Sequence, residues 1–257
     1  MFKAIRITIL LVILVIVGLN TWLSRLRSTD WDINLGVVIY PINADNSAAT
    51  AHYIAGLDRE AFQPLTKFIA LEGAEYHLAL ADPVNVELAH EVKSLPPAAP
   101  FGGSRLEIML WSLKMRWWAW RADNYPGPGN IKIFILYYDP EQYKQLDHSF
   151  GLQKGLVGVV KAFADQQLAA SNNVIITHEF LHTLGATDKY DPVSGLPLFP
   201  DGYAEPDKKP LYPQDQAEIM GGKIPISERE ATMPDRLGLS VIGPATAREI
   251  GWPDRRS

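Results

Sequence analysis

His178-Glu179-Phe180-Leu181-His182-Thr183-Leu184-Gly185-Ala186-Thr187-Asp188 decides how this chain is read. The pattern is HExxHxxGxxD. Residues four apart on an α-helix lie on one face, about 6 Å along the axis, so His178 and His182 can aim both imidazoles at one cation. Glu179 falls where a carboxylate can reach water at the metal without binding the metal, the position of a general base. Gly185 can take the left-handed conformation that ends a helix and turns the chain back. Asp188 then supplies a third, oxygen ligand. Two imidazoles and a carboxylate leave one tetrahedral position open, as a hydrolytic zinc site requires and a closed structural site does not.

Working outward, Val174-Ile175-Ile176 leads into His178, and Asn172 or Asn173 is expected to cap that helix. Leu156–Phe163 (LVGVVKAF) is strand-like. It is either an interior strand or an exposed edge beside the metal, where an extended substrate could add as a further strand. Ile131–Tyr138 (IKIFILYY) follows the turn Tyr125-Pro126-Gly127-Pro128-Gly129-Asn130 and is the clearest strand. Leu35–Ile42 reads as a first buried strand. Leu57–Leu71 reads as a helix capped by Asp58 and stopped near Gly73, and Tyr76–Leu88 as a strand interrupted at Pro83. Arg105–Ala122 (RLEIMLWSLKMRWWAWRA) contains no breaker, and Leu106, Leu110, Leu113, Trp117 and Trp120 share one face. That face is expected to pack on the sheet; the competing reading rests it on a membrane surface, as Trp- and Arg-bearing amphipathic helices can.

Beyond Asp188 the composition changes. Tyr190–Pro213 is rich in proline with Gly195, Gly202 and several aspartates, so a loop-rich C-terminal subdomain is expected. Gly243–Trp252 reads as a short helix with Pro244 in its first turn and Gly251 at its end. The expected organisation is an α/β domain over residues 29–257, its upper part about 35–185 and its lower part about 186–257, built on a mixed twisted sheet.

At the other end, Ile7–Leu19 is almost unbroken aliphatic sequence between Lys3, Arg6 and Trp22, Arg25, Arg27. Counted on to Leu23 it has 17 residues, the short end for a membrane span. No small-x-small cleavage signal follows. Residues 1–28 therefore read as an uncleaved transmembrane anchor rather than a removed signal peptide. The balance of basic residues favours a cytoplasmic N-terminus and an extracytoplasmic domain, periplasmic or extracellular.

A chain of 257 residues with 47% apolar content suits one catalytic domain, and a net charge of −5 without a basic stripe argues against a nucleic-acid partner. With no cysteine there is no disulfide, thiolate ligand or cysteine-based latency switch. His52, His77, His90 and His148 have no partner pattern.

On His178, Glu179, His182, Gly185 and Asp188, with Met220 in the downstream turn Glu218-Ile219-Met220-Gly221-Gly222, the chain resembles the metzincin zinc metallopeptidases of the variety whose third ligand is Asp. The resemblance implies a zincin-like fold, Zn2+ held by His178, His182 and Asp188, Glu179 as catalytic base, and a protein or peptide substrate. It departs from the pattern at Gly222, where several members carry a metal-site tyrosine; Tyr190 and Tyr212 are then candidates for stabilising the oxyanion. The other HExxH class takes a later glutamate as third ligand, for which Glu218 or Glu228 could serve. The alternative function is a catalytically silent zinc-binding scaffold or interaction protein at the membrane.

Overall fold

β1 (Leu35–Asn43) is apolar on both faces, and almost every residue in it is buried. It lies between β2 (Val84–Leu88) and β3 (Ile131–Tyr138), parallel to both. β5 (Val157–Phe163) continues the parallel set beside β3, and β4 (Phe150–Leu152) closes the edge antiparallel to β5, giving the order β2-β1-β3-β5-β4. The structure, a computed structural model, describes residues 29–253 except 101, 147–148 and 153–155, and Arg6 ahead of them.

The apolar runs are continuous because both faces of the sheet are covered. Val37, Ile39, Ile133 and Ile135 point to one side, packing with Leu65 and Phe68 of α2 (Gln63–Glu75) and with Val174, Ile176 and Phe180 of α4 (Ala169–Leu184). The alternate residues Val38, Tyr40, Phe134 and Leu136 point to the other, against Met115, Trp118 and Ala119 of α3 (Arg105–Ala122). A short α1 (Ala48–Ala55), capped by Ser47, follows β1. The protein is thus mixed α/β with a mostly parallel central sheet.

The C-terminal part is loop-rich, as expected. Its regular structure is two paired ribbons, β6 (Ala217–Glu218) with β9 (Ser240–Val241) and β7 (Ile224–Pro225) with β8 (Ala231–Thr232), followed by α5 (Pro244–Glu249). Ile219, Met220, Ile242 and Ile250 from this part enter the same core as α2 and α4. Gly251 ends the last helix at φ +81°, in the left-handed region.

Five expectations are corrected. Leu156–Phe163 is not an edge: β5 is hydrogen-bonded on both sides, and the three-residue β4 is the strand that ends the sheet. Its unbroken burial is what a strand covered on both faces requires. The expected strand Tyr76–Leu88 is formed only over Val84–Leu88, because Pro83 lacks an N–H and the chain turns through His77 at φ +57°. Asn172 and Asn173 do not cap the HExxH helix, which starts at Ala169. They are buried inside it. Asn172 exchanges two hydrogen bonds with the backbone of Phe163, and Asn173 donates to the carbonyl of Ala61, so both tie the helix to its neighbours.

The fourth correction concerns α3, whose boundaries match the expected helix. The face expected in the core points outward: Leu106, Leu110, Leu113, Trp117 and Trp120 are each at least 52% exposed. The helix packs through Trp111, Met115, Trp118 and Ala119 instead. Both faces are apolar, so periodicity alone does not choose between them. The helix expected from Leu57 begins as a 3-10 turn over Arg59–Phe62 under the Asp58 cap and re-forms as α2 at Gln63, where Pro64 suits a first turn. No helix among the described residues is long and apolar enough to cross a membrane, and the run Ile7–Leu23 lies outside the described residues.

Candidate metal centre

The HExxH helix is amphipathic in an unusual sense. Phe180, Leu181 and Leu184 bury it in the core, while His178 and His182 emerge together on the side facing the C-terminal segment. Gly185 ends it at φ +109°, its N–H donating to the His182 carbonyl while the N–H of Ala186 donates to the Leu181 carbonyl. Only glycine takes such a conformation without strain. The reversal brings Asp188 back over the two histidines. Its Oδ1 lies 3.2 Å from Nε2 of His178 and 3.1 Å from Nε2 of His182.

The other nitrogen of each ring is occupied. His178 Nδ1 is 2.9 Å from the carbonyl of Ile219, and His182 Nδ1 is 2.8 Å from the carbonyl of Ala186. A carbonyl only accepts, so each Nδ1 carries a proton, which leaves each Nε2, the atom facing Asp188, as the one that could ligate a cation. The imidazoles are nearly perpendicular, at 89°, with centroids 4.7 Å apart. Two ring nitrogens and a carboxylate oxygen converging this way form a donor set that could hold a metal ion, with pinned Nδ1–H groups as outer supports. His178, Glu179 and His182 bring potential ligand atoms within 4.8 Å of one another. Asp188 Oδ1 also touches both imidazoles, and Glu179, only 5% exposed, stands beside them.

The electrostatics follow. Burial pushes His178 down, but Asp188, the charge of Glu179 and the Ile219 carbonyl outweigh it and the imidazole is held above its ordinary value. Burial raises Asp188, yet the two histidines hold its carboxyl well below the usual carboxylate range. A cation between these groups would replace mutual hydrogen bonding by shared coordination.

The turn Glu218–Gly222 is tight: the N–H groups of Gly221 and Gly222 both donate to the Glu218 carbonyl, and Gly222 lies at φ +73°. Met220 is fully buried beneath it. Glu218 lies outside the group of potential ligands. Its buried carboxylate accepts from the N–H groups of Gly221 and Gly243 and from Thr246 Oγ1, which spends its oxygens on holding the turn. Glu228 is exposed and outside the cluster.

The two candidate tyrosines separate. Tyr190 lies against the site, its ring at 30° to that of His178 with centroids 6.4 Å apart, whereas Tyr212 pairs its hydroxyl with that of Tyr203 at 2.8 Å. Burial, then the charges of Asp188 and Glu179, push the Tyr190 hydroxyl up to about 12, so it stays a donor at neutral pH. A Cβ on Gly222 would come 3.9 Å from the Tyr190 ring. Tyr190 therefore occupies the space beside Gly222, the position at which the resemblance implies a tyrosine.

Three supports went unread in the sequence. The first is the Ile219 carbonyl. The second is a clamp on the Asp188 loop: buried Lys189 donates to Glu249 Oε2 at 2.6 Å and to the carbonyl and hydroxyl of Thr187, while Glu249 also accepts from the Thr187 N–H and hydroxyl. The third is Gly151 on β4, where a Cβ would sit 2.6 Å from His182 Cβ and 2.7 Å from the Glu179 carbonyl. Only a glycine lets the edge strand run this close to the helix. A lone buried lysine or an isolated glycine carries no motif that could have flagged them. An open cleft of about 550 Å³ reaches the site, lined by His178, Glu179 and Tyr190 and extending past Asn172 and Lys161. None of His52, His77 and His90 joins the cluster.

No family model matches this chain, and no curated protein matches it. Among solved structures, the crystal structure of wild-type OgpA from Akkermansia muciniphila aligns with 84% of this chain at 14% identity and a TM-score of 0.38. The alignment spans 59% of that protein's length.

Proposed function

We propose that this protein is a metzincin-like zinc peptidase that hydrolyses peptide bonds in a protein or peptide substrate. One observation carries the reading: two imidazoles, each fixed through Nδ1 to a backbone carbonyl, direct Nε2 at the oxygen of Asp188, with buried Glu179 beside them and an open cleft in front. A purely structural site needs neither the neighbouring carboxylate nor the cleft.

His178, His182 and Asp188 would hold the zinc, which would supply Lewis acidity. The residues of the chain do the rest. Glu179 takes a proton from the attacking water and delivers it to the leaving amine nitrogen as the C–N bond breaks. Tyr190, kept protonated, donates to the oxyanion that develops on the scissile carbonyl. The Ile219 and Ala186 carbonyls keep both histidines in the ligating tautomer throughout. The β4 edge beside the helix suits an extended substrate added as a further strand, with main-chain hydrogen bonds that impose little sequence bias. We also read the apolar run Ile7–Leu23 as a single-pass anchor that holds the catalytic part outside the cytoplasm, within reach of a membrane surface.

The test is to incubate the purified chain with a peptide library, with and without a chelator, and to assay bound metal. Chelator-sensitive cleavage, abolished in Glu179→Ala while one zinc per chain is retained, is the expected result. Zinc at one equivalent with no cleavage in the native chain would replace this reading with the silent scaffold.

A further inference from the structure

Helix α3 carries two apolar faces, and the sheet uses one. Trp111, Met115, Trp118 and Ala119 pack inward. On the opposite side Leu106, Met109, Leu110, Leu113, Trp117 and Trp120 recur at helical spacing as one outward stripe, none less than 52% exposed. Contiguous apolar patches of this kind on a surface mark a docking site.

The borders of the stripe say what docks. At 100° per residue, Arg105 and Arg116 lie along one side and Lys114 and Arg121 along the other, with Glu107 the one acidic residue of the helix. Four cations therefore frame the stripe in a chain whose net charge is −5. Long cationic side chains can lay their methylenes along an apolar surface and keep their charges in a polar layer above it. The indoles are divided in the same sense. Inward Trp111 and Trp118 donate their N–H groups to the Pro97 carbonyl and Ser94 Oγ. Trp117 and Trp120 have no hydrogen-bond partner among the described residues, and Trp117 meets the Arg121 guanidinium 5.3 Å above its ring. Indoles with an apolar body and a free N–H at its edge belong at the boundary between acyl chains and headgroups.

We infer that α3 lies in the plane of an anionic lipid surface, with Leu106, Met109, Leu110, Leu113, Trp117 and Trp120 entering the acyl boundary and the flanking arginines and lysine meeting lipid phosphates. A protein partner would need no cationic frame on both sides of an apolar seam, whereas an anionic leaflet attracts one. This contact is separate from the metal site and stands or falls apart from the peptidase reading.

Because the chain has no cysteine, a single introduced thiol reports one position. The full chain carrying Leu113→Cys, or Val193→Cys at a position 94% exposed in the C-terminal part, is labelled with an environment-sensitive nitrobenzoxadiazole probe and reconstituted in vesicles of phosphatidylcholine with phosphatidylglycerol. A blue shift with a several-fold rise in emission at position 113, a water-like spectrum at 193, and loss of most of the response in phosphatidylcholine alone or with Lys114→Glu and Arg121→Glu are the expected results. Circular dichroism of each variant establishes that the fold is kept. A water-like spectrum at 113 in anionic vesicles overturns the inference and assigns the stripe to a protein partner. A shift present before vesicles are added overturns it too. Growth of that shift with protein concentration would indicate a second copy, and independence of concentration the chain's own apolar run.

Discussion

Nδ1 of His178 lies 2.9 Å from the carbonyl oxygen of Ile219, 41 residues along the chain. The HExxH helix and the turn carrying Met220 are thereby joined through one of the candidate ligands. The turn is itself held by Glu218, whose carboxylate accepts from Gly221, Gly243 and Thr246. A change in the turn is therefore transmitted to the tautomer and aim of His178.

Asp188→Ala removes the oxygen that meets both histidines. The variant is expected to lose zinc affinity by more than the roughly 10–100-fold that follows loss of an outer support. Elemental analysis after dialysis against a graded chelator measures it, and a fully metallated variant would move the third-ligand role to another residue.

Tyr190→Phe and Tyr212→Phe are expected to part company. Loss of the Tyr190 hydroxyl beside His178 lowers kcat by roughly 10²–10³, the usual effect of deleting one oxyanion donor, with bound zinc unchanged. Tyr212, paired with Tyr203, is expected to leave turnover intact. Steady-state kinetics on one peptide substrate distinguish the two, and equal effects would deny Tyr190 its role.

Glu249 predicts an acid limit. Burial raises its carboxyl, but hydrogen bonds from Lys189 and Thr187 outweigh it and hold the group below its ordinary value of 4.5. A depressed carboxyl contributes stability that is present above the ordinary value and lost as pH falls through the folded one. The melting temperature should therefore drop more steeply below about pH 4.5 in the native chain than in Glu249→Gln. At neutral pH the variant should itself be less stable by roughly 1–3 kcal/mol, because buried Lys189 loses its counter-charge. Parallel slopes on acidification would exclude the clamp.

Gly151→Ala tests the edge strand. The added methyl meets His182 Cβ at 2.6 Å and the Glu179 carbonyl at 2.7 Å, so β4 or the helix must shift. Overpacking of this kind costs about 1–3 kcal/mol. Peptide cleavage should fall further than denaturation midpoints alone account for, because the displaced atoms adjoin two site residues. A variant of native stability and activity would show that the strand has slack.

What the sequence by itself determined is local. The extent of β1, β3 and α3, the left-handed stop at Gly185, and the facing of His178 and His182 all follow from periodicity and from one glycine. Each is set within a few turns of chain, where backbone sterics dominate. Tertiary structure alone decided which apolar face of α3 meets the sheet, that β4 and not β5 forms the edge, that Tyr190 and not Tyr212 lies beside His178, and that Lys189 meets Glu249 across 60 residues. Periodicity reports that a face is apolar but not what covers it. Such pairings depend on which segments the closed core brings together.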